Sequence, residues 1–485
     1  MWSDRTPPER LRALVEKLHS VLPAPSPAAS STQTSLHGRA SVEQLAELLH
    51  SEPGFAWVNR TAKNGRDATR LLHKPLATVS YSGGVGIISG PGGTVEVSAP
   101  AFDILQAVLT AWHGPSEALL AGFLSYDLAS EIEDLGPAPP AHFRFPGFYF
   151  GLFATALTFE DNRWSLSGTD AWRGQDGISP STAEDLLRRA EAILLRNEDE
   201  MLLDSGPLSS RPDRPSFESA VERTVATIHA GDIFQTNLCR CIEARLKSGM
   251  EWDLYQRMRS ISPSRYEAFL QIDDRQTVIS ISPEMFLRVE GGIVESAPIK
   301  GTRPRARAAE EDHALSVELL TSEKDRAELA MIVDVVRNDL ARVCETGSVD
   351  VIRHAELMRL PTVHHIFSTV RGRLRADAGP VELLRAAFPA ASISGAPKIE
   401  AMRVAMREEG QLRGPCMGAI GWISLDGRLE LSVAIRTAFV TDGRVRYYAG
   451  CGITSDSVPS NEFVESRHKA AAFVRALGME HDPNW

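Results

Sequence analysis

Cysteine is scarce in this chain, and what there is does not pair. Cys239, Cys241, Cys344, Cys416 and Cys451 are the five, an odd number with no C-x-x-C spacing. That argues against a disulfide framework and points to a reducing, cytoplasmic compartment. No apolar run reaches the ~18 residues that a membrane span needs, so no membrane association is expected. Basic residues do not dominate: the net charge is −11, which argues against general nucleic-acid binding. The start, M-W-S-D-R-T-P-P-E-R, has no basic segment followed by an apolar one, so it does not read as a secretory signal. The G-x-x-x-x-G-K-[ST] phosphate loop is missing, as is any G-x-C-x-G-Q setting for a glutaminase nucleophile. No pyridoxal-phosphate lyase region is expected beyond the closing helix. The 485 residues are 43% hydrophobic, ample material for a large core.

In order along the chain, residues 8–21 have helical spacing of Leu11, Leu14, Val15 and Leu18, and the Pro/Ser/Ala-rich stretch 23–35 reads as a linker. Together they predict a flexible extension over 1–36. Residues 37–201 mix short helices and strands, with strands expected at 55–58, 76–81, 86–88, 119–128 and 147–159. A second linker, rich in Ser, Pro and Asp, falls at 202–215. From 216 to 485 the pattern sharpens. Helices are expected at 216–230, 322–345, 381–387, 397–408 and 460–477, the last capped by Ser460. Leu329, Ile332, Val336, Leu340 and Val343 form one face of the 322–345 helix. Residues 417–425, 428–441 and 444–450 predict a three-stranded meander, and 277–294 predicts a hairpin turning at Gly291-Gly292.

The stretch S-A-P-I-K-G-T-R-P-R, 296–305, follows that hairpin. Its Lys300 is expected at the end of a strand, where Gly301 opens the backbone. A lysine there is a nucleophile if burial or charge keeps its amine neutral, and otherwise a solvated loop residue. Two acidic pairs share helix faces: Asp325 with Glu328, and Glu462 with Glu465, the latter face continuing to Lys469. Such pairs usually mark solvated faces. Carboxylates without histidine or cysteine in the set suit Mg²⁺ and disfavour zinc. The loop P-A-A-S-I-S-G-A-P-K, 389–398, offers backbone N–H groups for an anion, and Arg436 lies in an otherwise apolar strand as a rigid fork for a carboxylate. Glu284 and His365 are candidate proton handlers.

Eight stretches in this order resemble the chorismate-utilising enzymes: H-A-G-D-I-F-Q-T-N-L, S-P-E-M-F, P-I-K-G-T-R-P-R, D-R-A-E-L-A-M-I-V-D-V-V-R-N-D-L, H-H-I-F-S-T-V, S-I-S-G-A-P-K, A-I-R-T and A-G-C-G-I-T-S-D-S-V-P-S-N-E-F-V-E-S-R-H-K-A. The resemblance runs over about 216–472, and more weakly over L-L-A-G-F-L-S-Y-D-L at 119–128. Family members that add water carry a lysine where this chain has Gln235, which places it with the aminating branch. Anthranilate synthases usually read P-I-A-G-T; Lys300 at the alanine position is similar to the aminodeoxychorismate synthase pattern. This chain departs from the family's R-G-x-Y-x-G in having Cys416 for the tyrosine, and it lacks a clear L-L-E-S segment.

The resemblance implies an α+β fold, with large antiparallel β-sheets packed face to face, helices outside and a central cleft. The N-terminal region would complete the sandwich. It implies Mg-dependent amination of chorismate by ammonia to 4-amino-4-deoxychorismate, on the route to para-aminobenzoate and folate. A separate glutamine amidotransferase subunit would supply the ammonia. Lys300 would be the nucleophile, Glu284 the general acid and His365 a hydrogen-bonding or acid group. Glu328, Glu465 and Glu462 would hold Mg²⁺, with Asp325 assisting. Gln235, Gly301, Thr302, Ser392, Arg436, Gly452 and Lys469 would bind substrate. Carbon-2 amination, as in anthranilate synthase, and a catalytically silent chorismate-binding subunit are the alternatives.

Overall fold

A computed structural model describes residues 8–26, 30–61, 67–114, 117–172, 178–196, 203, 205–247 and 249–481. Parts of both expected linkers, 27–29, 202 and 204, lie outside the described residues, as do 1–7. Two twelve-stranded sheets, antiparallel at every pairing, pack face to face with helices around them. The α+β expectation holds.

Both sheets run through the N- and C-terminal regions without a break. In the first, Ala56–Thr61 pairs with Tyr266–Gln271. In the second, Leu119–Leu124 pairs with Ala419–Ser424. The largest core fills the space between the sheets, joining Leu270, Val278 and Tyr448 of the first to Phe123, Phe150 and Leu287 of the second. A second core lies on the outer face of the first sheet. There Trp57, Phe269, Ile279 and Tyr447 meet Leu45, Leu187, Trp252 and Phe473 from four helices. This explains why Thr277–Ser282 is buried at every position: a sheet covered on both faces needs no polar side.

Several strands predicted as single units are two, one in each sheet. The 147–159 strand divides into Phe148–Phe153 in the second sheet and Thr155–Glu160 in the first. The 428–441 strand divides into Leu429–Val433 in the second and Thr437–Thr441 in the first. The 277–294 hairpin is likewise divided: Thr277–Ser282 belongs to the first sheet, and only Met285–Glu290 and Ile293–Ala297 pair around Gly291-Gly292. At these points the chain crosses from sheet to sheet in one to three residues. An apolar pattern cannot mark such a crossing, because the residues on either side are equally buried.

The first 36 residues are not wholly an extension. Pro8–Val21 is a helix with Leu14, Leu18 and Val21 buried. The Trp112 indole N–H donates to Leu22 O at 3.1 Å and the Trp172 indole N–H to Pro23 O at 2.9 Å. Ser31–Leu36 forms an edge strand against Arg163–Thr169. Its sequence, S-T-Q-T-S-L, is mostly exposed, so it carries no apolar signal. Helix boundaries also moved. Asp213 caps Arg214–His229, its carboxylate accepting from Ser216 N at 3.0 Å. The closing helix is Pro459–Ala476 with Val458, not Ser460, at the N-cap, because Pro459 suits the first helical turn. The expected 322–345 helix is Glu323–Ala341, capped by Ser322, with Leu329, Ile332, Val336 and Leu340 buried as predicted.

If the N-terminal helix is part of the core, Leu18→Ala lowers unfolding free energy by about 2–5 kcal/mol. Urea denaturation checks this. A change within about 0.5 kcal/mol is what a free extension would give.

Candidate active site

Two of the sheet crossings lie side by side. Ser282–Glu284 leaves the first sheet where Val433–Arg436 enters it. The Ser282 hydroxyl donates to Val433 O at 2.6 Å, Val433 N donates to Glu284 O at 3.0 Å, and Ile281 N donates to Arg436 O at 3.2 Å. Arg436 itself has φ +50, a left-handed backbone that no strand interior would hold. So Glu284 and Arg436 are delivered to the cleft by crossings, not by strands. Arg436 is not a mid-strand residue, as its apolar flanks suggested.

Lys300 lies inside a strand, Ile299–Pro304, that pairs with Val363–Arg373. A bulge at Gly301 shifts the register, so Lys300 faces Ile366 and Thr302 faces His365. Gly301 has φ +64, and a Cβ there would lie 2.7 Å from Leu319 Cδ1 and 3.0 Å from Asp325 Oδ1. Glycine is required on both counts. From the opposite sheet, Gly452 and Gln235 close over Lys300. A Cβ on Gly452 would lie 3.5 Å from Lys300 Nζ and 2.4 Å from Gln235 Nε2. Gln235 Oε1 is buried with no hydrogen-bond partner among the described residues. Gly395, of the 389–398 loop, abuts the same residue: a Cβ there would lie 2.2 Å from Gln235 O.

The electrostatics follow from this enclosure. Burial pulls the Lys300 ammonium below the usual lysine range; Glu328 and Glu284 oppose the shift and Lys469 adds to it. Burial pushes Glu284 up to about 7, although Ser392, the Ile299 N–H and Lys300 each draw it back. Burial also lowers His365 to about 4, assisted by Arg436. Its ring is therefore neutral near pH 7. With Gly301 O 3.0 Å from Nδ1 and the Arg436 guanidinium 3.2 Å from Nε2, the proton sits on Nδ1 and Nε2 accepts from Arg436. The Thr302 hydroxyl lies 3.1 Å from the same Nδ1. This arrangement orients Arg436 and leaves His365 no spare proton, so it fits a hydrogen-bonding role and not an acid.

The acidic groups come together from two helices. Glu328 and Glu465 both act on Lys300. Glu462 and Glu465 sit with Cys451 so that their ligating atoms lie within 4.8 Å of one another. Burial and then repulsion from Glu465 raise Glu462, while its contact to Ser457 opposes them. Burial also pushes Glu465 up, but the Lys469 ammonium 2.8 Å away outweighs it and the net shift is down. Lys469 also donates to Gly450 O at 2.9 Å. Asp325 stands apart from this set: its carboxylate is held by Arg303 at 3.1 Å. The Cys451 thiol is buried and burial pushes its pKa well up, so it stays protonated, and the carboxylate oxygens of the group are those of Glu462 and Glu465.

Some residues found other duties, and some were not foreseen. Lys398 of the 389–398 loop is structural, donating to Asp339 at 3.0 Å and Ala387 O at 2.7 Å. The Cys416 thiol is buried and donates to Thr437 O at 3.1 Å, beside Arg436. Asp127, in the S-Y-D-L run, accepts from Arg413 N at 3.1 Å and Gly414 N at 2.8 Å and so braces the loop that carries Cys416. Burial raises Asp127 to about 6. Lys324 lies near enough to act on both Glu462 and Glu465, opposing the rise of the first and adding to the lowering of the second. Its position four residues before Glu328 was the available signal.

Comparisons with known proteins agree on this architecture. A family model described as chorismate binding enzyme matches residues 55–475. Aminodeoxychorismate synthase component 1 of Bacillus subtilis is 35% identical over 457 residues, covering 91% of this chain and 95% of that protein. Anthranilate synthase component 1 of Methanothermobacter thermautotrophicus is 35% identical over 363 residues, 75% of each chain. The crystal structure of anthranilate synthase component I from Streptococcus pneumoniae superposes with a TM-score of 0.72 at 31% identity, covering 84% of this chain and 92% of that one. The relatives thus include both aminodeoxychorismate synthase and anthranilate synthase components. The chain belongs to the chorismate-binding enzyme family.

Proposed function

We propose that this protein aminates chorismate at ring carbon 4, using ammonia, to give 4-amino-4-deoxychorismate. The observation that carries the proposal is Lys300, an enclosed amine with a lowered pKa, facing Gln235 and not a second lysine. Its amine attacks ring carbon 2, both conjugated ring double bonds shift, and the carbon-4 hydroxyl leaves as water with a proton from Glu284. The adduct amine loses its extra proton. Ammonia then attacks carbon 4, both double bonds shift back, and the carbon 2–Nζ bond breaks as Nζ takes up a proton given off by the incoming ammonia. The sum is chorismate plus ammonia to 4-amino-4-deoxychorismate plus water. A separate glutamine amidotransferase supplies the ammonia.

Glu328, Glu465 and Glu462 are the residues to hold Mg²⁺, supported by the convergence of two glutamates whose mutual repulsion a cation would relieve. When bound, the ion supplies positive charge against the ring carboxylate. Arg436, held by His365, and the amides near Gly452 take the enolpyruvyl carboxylate. Ser392 lies at Glu284, and Thr302 with Gly301 fixes His365. Lys469 adds charge beside Glu465.

A second reading, carbon-2 amination, is favoured by the anthranilate synthases among the relatives. Incubation with chorismate, ammonium and Mg²⁺, followed by product separation, decides between them. The expected product is 4-amino-4-deoxychorismate, with turnover abolished by chelation of Mg²⁺ and lowered ~10³-fold or more in both Lys300→Ala and Lys300→Arg. Anthranilate as the main product would overturn the carbon-4 reading. Partial rescue by arginine would leave Lys300 as a fixed charge only.

The pH dependence of the first half-reaction has opposed limbs. Lys300 must lose its proton, so the rate rises with pH, and earlier than a free lysine would allow. Glu284 must keep its proton, so with a pKa of about 7 the rate falls above that value. Stopped-flow measurement at varied pH is expected to give a bell. Glu284→Gln is expected to slow the step and erase the alkaline limb; an unchanged alkaline limb would remove Glu284 from the acid role.

A further inference from the structure

The strands Gln235–Arg245 and Arg444–Ile453 carry Gln235 and Gly452 at one end of their shared ladder. At the other end the same two strands floor a separate cavity of about 240 Å³. Arg446 lines it and is 5% exposed. The Arg446 Nε atom is paired with Glu243 Oε2 at 2.6 Å, but its buried Nη1 has no hydrogen-bond partner among the described residues. A buried guanidinium N–H left unsatisfied is costly, and it is most strongly satisfied by a carboxylate. Arg444 shares Glu243, and Arg211 stands at the same cavity. Three guanidinium groups thus face one carboxylate, an excess of positive charge in an acidic protein.

The remaining walls are mixed: His142 stands at the exposed side, Gln411 spends its amide N–H on Arg211 O at 2.9 Å, and the rest is ring and thiol. The Phe143 ring packs with its centroid 5.5 Å from the Arg446 guanidinium carbon and is itself held edge-on by Phe439 at 4.9 Å. Tyr448 is buried, and its hydroxyl is already committed to Leu412 O at 2.6 Å, so it offers the cavity a ring face and no free donor. Cys241 lies beside it, and burial pushes its thiol up to about 12, which keeps it neutral.

We propose that this cavity binds a small carboxylate built on a planar apolar ring, with the carboxylate on Arg446 and the ring between Phe143 and Tyr448. The volume suits a ligand smaller than drug size. The buried unpartnered N–H of Arg446 between two ring walls favours a carboxylate carried on a ring over a bare phosphate, which only the more exposed Arg211 and Arg444 would meet.

Benzoate is the probe, titrated calorimetrically into the whole protein, with inorganic phosphate in parallel. The site should take one benzoate, and binding should persist in Arg436→Ala, which removes the carboxylate fork of the active site. It should weaken about tenfold or more in Arg446→Gln. Because Arg446→Gln removes one of the two partners of Glu243, the double variant Arg446→Gln/Glu243→Gln is measured as well, and Phe143→Ala tests the ring wall without touching the ion pair. Loss in the double variant and in Phe143→Ala, each melting like the parent, supports the proposal. Benzoate binding that is absent in the parent, that vanishes in Arg436→Ala, or that survives all three cavity variants overturns it. Phosphate binding as tight as benzoate overturns the choice of ligand.

Discussion

The site depends on two neighbouring strand crossings between stacked sheets. A strand that changes sheet must turn its backbone through the interior, where every N–H and C=O needs a partner. Here the two crossings supply each other: the Ser282 hydroxyl and Val433 N on one side, Ile281 N with Arg436 O on the other. Their mutual bonding fixes Glu284 and Arg436 at the floor of the cleft. The left-handed turn at Arg436 is tolerated because its carbonyl is engaged and its guanidinium is held by His365. Loss of either crossing would release both residues together.

Over this floor, Lys300 is placed by a bulge that only glycine can make. Lys300 is half-buried with its amine beside Gly452, and the neighbouring carboxylates only partly oppose the lowering of its pKa. The balance decides function. Stronger pairing with Glu328 or Glu465 would hold Lys300 protonated, and an ammonium cannot attack. Glu465 instead gives its nearest contact to Lys469, on its own helix. A cation shared by the glutamates would draw them further from Lys300 and favour the free amine. Glu284 is the counterpart: the same kind of burial that lowers the pKa of the lysine raises that of the carboxylic acid, to about 7. In the proposed reaction these two shifts would serve a base and an acid at one site.

Much of the site could be read from residue order. Glu284, Gln235, Gly452, Glu328 and Glu465 lie around Lys300, although they come from stretches far apart in the chain. The fold class was equally readable. What could not be read was where strands change sheets. Residues 428–441 are apolar throughout, and only the positive φ at Arg436 marks the crossing. The pairing of His365 with Arg436, 71 positions apart, has no sequence signature, and it turns a candidate acid into an orienting group. Asp325 shares a helical face with Glu328, yet Arg303 takes its charge, because helix periodicity does not report what lies opposite. The N-terminal edge strand was hidden for the opposite reason, since a polar edge looks like a linker.

The central claim is that Lys300 forms a bond to the substrate. Mixing the protein with chorismate and Mg²⁺ without ammonia, quenching in milliseconds and weighing the intact chain tests it directly. The account predicts a mass increase equal to chorismate less one water, mapped to Lys300 by digestion and absent from Lys300→Ala. Full binding of chorismate with no mass increase at any quench time, in a protein that still turns over when ammonia is added, would contradict it.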